Sequence, residues 1–68
     1  MYKIRYDEES DVLTILVSES GKLSHAEEIG DVVVHLSRDG KPLLLEVLNA
    51  SRNVSLMVQA LAKKEVAG

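Results

Sequence analysis

The stretch VVVHLSRDGKPLLLEV, residues 32 to 47, predicts a β-hairpin and thereby decides the fold. Its turn signal is Asp39-Gly40, because glycine accepts the positive φ that a type I′ turn requires. Pro42 is tolerated opposite Ser37, because the two residues share no ladder hydrogen bond in this register. The resulting register pairs Val32 with Val47, Val34 with Leu45, Leu36 with Leu43, and Ser37 with Pro42.

This hairpin is apolar on both of its sides. A hairpin with one solvated side should alternate apolar and polar residues. Here Val33 and Leu44 lie on the side that ought to face water, beside His35 and Glu46. The pattern indicates either a site at these positions or a surface that something else covers.

A second hairpin is predicted at the start of the chain. Residues 2 to 7 alternate large apolar with charged side chains, and residues 12 to 17, VLTILV, form a β-branched apolar run. A loop over residues 8 to 11 joins them. Period-two alternation then places every large residue of the first strand on one apolar face. The predicted pairs are Tyr6 with Leu13, Ile4 with Ile15, and Tyr2 with Val17.

The rest of the chain predicts a short strand and one helix. Residues 23 to 29 read as an edge strand ended by Gly30-Asp31, with inward charges that discourage pairing with other chains. After residue 48 the apolar period lengthens to that of a helix over about residues 54–65, which Asn53 or Ser51 could cap. Its apolar stripe is Val54, Met57, Val58 and Leu61.

These elements predict an α+β fold. An antiparallel β-sheet of four to five strands, made of two hairpins and the short edge strand, carries one C-terminal amphipathic helix packed on one face. The whole chain, 1–68, is expected to be a single domain, with the sheet over about residues 2–48.

The two faces of the sheet differ in character. The first, face one, is apolar throughout and carries Tyr2, Ile4, Tyr6, Leu13, Ile15, Val17, Val32, Val34, Leu36, Leu43, Leu45 and Val47. The second, face two, carries Lys3, Arg5, Asp7, Val12, Thr14, Leu16, Val33, His35, Ser37, Leu44, Glu46 and Leu48. Five of the twelve residues on face two are aliphatic, which is the mixed composition of an interface. The predicted interface residues are Val12, Leu16, Val33, His35, Leu44, Glu46 and Leu48.

Composition favours association with protein partners. A chain of 68 residues has marginal stability alone, and without cysteine it has no disulfide or thiolate metal site to compensate. The net charge of -3 and the lack of a long basic run argue against nucleic acid. No apolar run is long enough for a membrane span or signal peptide, so we expect a cytoplasmic protein.

Three residue groups raise the question of catalysis or metal binding. Ser37, His35 and Glu46 could suggest acyl transfer, but nothing in the sequence supplies an oxyanion hole. The loop DEESD, residues 7 to 11, lacks the glycine of a calcium loop, so its aspartates are expected to accept local backbone N–H bonds. His25, Glu27 and Glu28 on an edge strand are weak evidence for a metal site. We therefore predict no catalytic residue, no metal and no cofactor.

Two separated motifs resemble the family called domain of unknown function 2283. They are Tyr6-Asp7 with Asp11, and a later run that holds Asp39-Gly40, Leu45-Glu46-Val47-Leu48 and Ala50-Ser51. The resemblance covers residues 2 to 51 and implies a small prokaryotic protein without an assigned activity. Members often have Asp and Gly where this chain has His35 and Leu44, so an acidic cluster near Glu46 is altered here.

The preferred functional hypothesis is a non-enzymatic protein that acts through protein–protein association, with itself as partner in a homodimer or higher oligomer. The alternative, which the resemblance implies, is an antitoxin-like module that binds a small toxin protein.

Overall fold

A computed structural model describes residues 3–63 and has five antiparallel strands followed by one helix. The elements are β1 (Lys3–Asp7), β2 (Val12–Leu16), β3 (Leu23–Ile29), β4 (Val32–Ser37), β5 (Pro42–Val47) and α1 (Ala50–Ala62). The strands form a single open sheet in the order β1-β2-β5-β4-β3. The predicted α+β architecture is confirmed.

The register of the first hairpin is confirmed. Tyr6 lies opposite Leu13 and Ile4 lies opposite Ile15, as the alternation predicts. The predicted partner of Val17, Tyr2, lies outside the described residues. Val17 itself has left β2, and its N–H donates to the carbonyl of Leu43 at 2.9 Å.

The two hairpins join through β2 and β5. Leu13 lies opposite Val47, and Ile15 lies opposite Leu45. Side chains that are directly opposite in a sheet point to the same face. The apolar sides of both hairpins therefore merge into a continuous face one that runs from β1 to β4.

The turn of the second hairpin differs from the prediction. Val32–Val47 and Val34–Leu45 pair as expected, but Leu36 lies opposite Pro42 rather than Leu43. A type I′ turn needs positive φ at both central residues, and Gly40 has it at 85° whereas Asp39 does not. Ser37 accepts from the N–H of Gly40 at 3.0 Å and donates its own N–H to Lys41 at 2.9 Å.

The longer turn is followed by a β-bulge, which places one extra residue in β5. Between the pairs His35–Leu44 and Leu36–Pro42, Leu43 is the extra residue of a β-bulge. Its carbonyl is free to accept from the N–H groups of Val17 and Ser18. The bulge therefore connects β5 to the segment after β2 and buries the Leu43 side chain.

The edge strand β3 matches its predicted bounds, Leu23–Ile29. It pairs with β4 along its length, with an irregularity between Leu23 and His25. Ile29 and Glu27 oppose Val32 and Val34, so a carboxylate stands on face one near the edge of the sheet. Such a charge is one way to discourage edge pairing.

The helix begins earlier than the sequence predicts, at Ala50 rather than near residue 54. Neither predicted capping residue is the N-cap, which is Asn49 in the left-handed region with φ 49° and no side-chain capping bond. The predicted residues 64 and 65 lie outside the described part of the chain. Within the helix only Ala50 is buried, and most of the predicted apolar stripe remains in solvent.

The hydrophobic core is consequently small. Among residues 3–63 the buried hydrophobic side chains are Leu43, Val47 and Ala50. They lie along β5 and at the first residue of the helix. The other aliphatic side chains in the middle of the sheet are half-buried on both faces.

Candidate functional site

The structure brings six of the seven predicted interface residues together on face two. Leu16, Leu44 and His35 lie side by side across three strands, and Thr14, Glu46 and Val33 form the adjacent row. Val12 extends the set at the start of β2, and Leu48 follows the last residue of β5. All seven predicted residues are half-buried. Face two therefore has an aliphatic centre.

One hydrogen-bonded pair of polar side chains lies within this centre. The His35 Nε2 and Glu46 Oε1 atoms are 2.6 Å apart. The His35 side chain is 25% exposed and the Glu46 side chain is 33% exposed. Such a closed pair can be buried at lower cost than either group alone.

The third member of the hypothetical acyl-transfer group is not part of this contact. The buried Ser37 hydroxyl donates to the Asp39 carboxylate and accepts from the Lys41 N–H at 3.1 Å. Ser37 therefore serves the hairpin turn, and its hydroxyl has no hydrogen bond to His35 within residues 3–63.

Face one is more apolar than face two, and the helix covers only a corner of it. Ile4 and Tyr6 on β1 are exposed, with 68% of Ile4 accessible. Met57, Val58 and Leu61 of the helix stripe are exposed as well. An apolar surface of this extent is typical of an interaction site.

A groove separates α1 from the β1–β2 corner of face one. Its volume is about 650 Å³, and its apolar walls are Tyr6 and Leu13 on the sheet and Val54 and Val58 on the helix. The groove is open to solvent because the helix touches the sheet mainly at its first turn, where Ala50 is buried. Its lining is largely apolar.

The helix is held at the end of this groove by Asp11. The carboxylate accepts three hydrogen bonds: from the Tyr6 hydroxyl at 2.6 Å, the Ser51 N–H at 3.0 Å and the Ser51 hydroxyl at 2.8 Å. The Asp11 carbonyl also accepts the Ala50 N–H at 2.9 Å. An acidic group beside the first N–H groups of a helix stabilises them as a cap does.

Asp31 supports the same corner from the β3–β4 turn. Its carboxylate accepts from the amide of Asn53 at 2.9 Å, and its carbonyl accepts the Leu48 N–H at 2.7 Å. The Asn53 amide also donates to the Leu48 carbonyl at 2.7 Å. Two aspartates from separate turns thus fix the direction in which the helix leaves the sheet.

The role of Asp11 was missed by reasoning from the sequence, which predicted local backbone partners. The prediction was wrong because the partners of Asp11 come from the helix forty residues later. A signal was nevertheless present. The two motifs that carried the family resemblance contain Tyr6, Asp11 and Ala50-Ser51, and these residues meet in the structure.

The hydrogen bonds at Asp11 shift two pKa values in opposite directions. The Tyr6 hydroxyl, followed by the side-chain and backbone groups of Ser51, lowers the pKa of Asp11. The hydrogen bond to Asp11 in turn raises the pKa of Tyr6. Asn53 lowers the pKa of Asp31 in the same way.

We expect the stability of the fold to fall at both extremes of pH. The stabilisation by Asp11 is present above its unfolded pKa of about 3.9 and is lost as the pH falls through the lower folded value. That from Tyr6 is present below its unfolded pKa of about 10 and is lost as the pH rises through the higher folded value. Thermal melts followed by circular dichroism across this range would measure both limbs. Tyr6→Phe should remove the alkaline limb and shorten the acid limb without removing it, because Asp11 keeps its hydrogen bonds from Ser51. An unchanged alkaline limb would contradict this assignment.

The other candidate ligands do not converge. His25 and Glu27 stand on face one at the sheet edge, whereas Glu28, opposite Val33, stands on face two. Within residues 3–63, no group of three His, Asp or Glu side chains is close enough together to hold a metal ion. The one helix in that part of the chain also falls short of the length and hydropathy needed to cross a bilayer.

Comparison with known proteins identifies one family. Residues 3–51 match the model of a family described as protein of unknown function (DUF2283), which covers more than half of the chain. No curated protein and no solved structure matched. The matched region contains the whole sheet and ends at Ser51, the helix residue that contacts Asp11. The chain therefore belongs to the DUF2283 family of proteins of unknown function.

Proposed function

We propose that this protein acts by associating with a second copy of itself, as a homodimer or higher oligomer, and not as an enzyme. The observation that carries the proposal is the small core: three hydrophobic side chains, Leu43, Val47 and Ala50, are buried within the described residues. Folding must offset roughly 1–2 kcal/mol of backbone entropy for every ordered residue, and burial of apolar surface is the main compensation. A second copy would supply the missing burial.

The accessible surface supports this proposal. The chain exposes 5600 Å², whereas a folded monomer of 7.5 kDa exposes about 4,200 Å². The excess is larger than the roughly 800 Å² that each partner contributes to a standard interface. The radius of gyration of 13.1 Å likewise exceeds the value of about 11 Å expected for a compact domain of this length.

Whereas the sequence predicts the interface on face two, we assign the homodimer interface to face one. Its side chains are apolar in every strand from β1 to β4, and those of Ile4 and Tyr6 are exposed. A second copy placed there would exclude water from this apolar surface. Charged groups stand at the rim, where Glu27 on β3 could remain solvated.

Face two is the proposed surface for a further copy or for a different small protein. The half-buried aliphatics Leu16, Leu44 and Val33 around the closed His35–Glu46 pair favour this assignment. The antitoxin-like hypothesis belongs to this surface, since the homodimer on face one would leave it free.

Sedimentation equilibrium of the unmodified protein tests the proposal, and we expect the mass of a dimer or larger species. Ile4→Lys should raise the dissociation constant at least tenfold, because it places a charge in the apolar interface. The exposure of Ile4 lets the monomer accept the lysine. Leu44→Lys on face two should weaken assembly beyond the dimer and leave the dissociation constant of the dimer unchanged.

Each possible result decides between the two surfaces. A monomeric unmodified protein at all concentrations would contradict self-association. Loss of the dimer in Leu44→Lys together with an unchanged dimer in Ile4→Lys would move the homodimer interface to face two. Circular dichroism of both variants controls for loss of fold.

A further inference from the structure

The groove between α1 and the β1–β2 corner is suited to an apolar occupant. Its apolar walls are Tyr6, Leu13, Val54 and Val58, and the polar Ser55 and Gln59 lie beside them on the helix. The polar groups at its closed end already have partners, because the Tyr6 and Ser51 hydroxyls both donate to Asp11. A polar ligand would therefore find few free groups there, whereas an apolar side chain would replace water at no cost in hydrogen bonds.

The helix beside the groove has an apolar stripe of its own without a partner. Val58 is 57% exposed and Leu61 is 77% exposed, and Met57 is exposed beside them. One element therefore offers both a groove on one side and an apolar stripe next to it. A two-fold axis can satisfy both at once, since each copy contributes the same patch.

Charge at the two ends of α1 favours an antiparallel pair of helices. The helix begins beside the acidic loop of residues 7 to 11, which contains four carboxylates and no basic residue, and it ends at the C-cap Lys63. In an antiparallel arrangement Lys63 of each copy would reach the acidic loop of the other. The opposite helix dipoles would also be favourably aligned.

We propose that α1 of a second copy fills this groove, so that two antiparallel helices lie between the apolar faces of two sheets. The inference rests on the self-association proposed above and names the element that makes the contact. The surface excess of roughly 1,400 Å² per chain is enough for this contact and for burial of the exposed part of face one.

A matched pair of helix variants tests the groove contact. Val58 lines the groove, whereas Leu56 is two residues away on the opposite side of the helix with a similar exposure of 51%. Val58→Lys should raise the dissociation constant of the dimer at least tenfold in sedimentation equilibrium. Leu56→Lys should leave it within threefold of the unmodified protein.

A second measurement needs no variant and covers the case in which Val58→Lys fails to fold. Zero-length carbodiimide coupling joins amines to carboxylates that are in contact. A mixture of ¹⁴N- and ¹⁵N-labelled protein distinguishes links between copies from links within one. We expect Lys63 of one copy to be joined to the acidic loop of the other. Within one copy, a helix of 13 residues holds them about 20 Å apart.

The results separate the two proposals. A dimer that resists Val58→Lys and contains no link between Lys63 and the acidic loop would overturn the groove contact and leave self-association intact. An unmodified protein that remains monomeric would overturn both. Loss of the dimer in Val58→Lys but not in Leu56→Lys, with the expected link between copies, would support both.

Discussion

Leu43→Ala is expected to remove more than half of the free energy of unfolding. Leu43 is 5% exposed and is one of three buried hydrophobic side chains within residues 3–63. Truncating a buried leucine to alanine costs about 3 kcal/mol through lost transfer energy and the cavity that remains. Small domains have net stabilities near or below the lower end of about 5–15 kcal/mol. Urea titration followed by circular dichroism would measure the loss of free energy of unfolding.

The matched control for this variant is Leu56→Ala. The same atoms are removed from a helix position that is 51% exposed, so the free energy of unfolding should change by no more than about 0.5 kcal/mol. If both variants lowered stability equally, the bulge at Leu43 would not be the centre of the core. A small effect of Leu43→Ala would lead to the same conclusion.

Asp11→Ala is expected to release the helix while the sheet persists. The substitution removes the acceptor of three hydrogen bonds, two of which come from Ser51 in the first turn of α1. Since most of the helix is exposed, the other contacts that hold it are the Asp31–Asn53 hydrogen bond and the buried Ala50. We expect a lower helical signal at 222 nm and faster hydrogen exchange at the Ser51 amide, with β4 and β5 amides still protected. Asp11→Asn should give a smaller effect, because one oxygen remains as acceptor.

Glu8→Ala is the control in the same acidic loop. Its carboxylate makes no side-chain hydrogen bond within the described part of the chain, so removing it tests the loss of charge alone. An equal loss of helix in Glu8→Ala and Asp11→Ala would show that loop charge, and not the contact with Ser51, anchors the helix. Simultaneous loss of sheet and helix in Asp11→Ala would show that the two unfold together.

The sequence was most informative where structure depends on neighbouring residues. Alternation over residues 3 to 7 and 12 to 16 was enough to predict the Tyr6–Leu13 and Ile4–Ile15 pairs, because a shift of one residue would reverse the faces. Alternation also predicted the Val32–Val47 and Val34–Leu45 pairs of the second hairpin. The bounds of β3 were predicted as well.

The sequence was less informative where one sequence signal is compatible with two backbone geometries. Asp39-Gly40 suits a two-residue turn and also a longer turn in which only glycine has positive φ. The chain adopts the longer turn, and the bulge at Leu43 follows from it. Similarly, a side chain that caps a helix need not be adjacent in sequence, so Asp11 was interpreted as a local turn residue.

The candidate surfaces were likewise predicted only in part. Away from the bulge, the sequence assigned the described strand residues to the two faces as the structure has them, because alternation alone decides which side of a strand a residue occupies. At the bulge, Pro42 and not Leu43 lies opposite Leu36. It also predicted that the helix would pack on one face of the sheet. Exposure of Val58 and Leu61 depends on the angle at which α1 leaves the sheet, and Asp11 and Asp31 set that angle through contacts between distant turns.

The sequence by itself determined the strands, most of their two faces, the presence of a C-terminal helix and a length at which little surface can be buried. These properties follow from period, turn chemistry and length, all of which act locally or on the whole chain. Only the tertiary structure decided the strand order, the burial of Leu43 and the open groove beside α1. Each of these depends on hydrogen bonds between residues far apart in the chain, which no local pattern encodes.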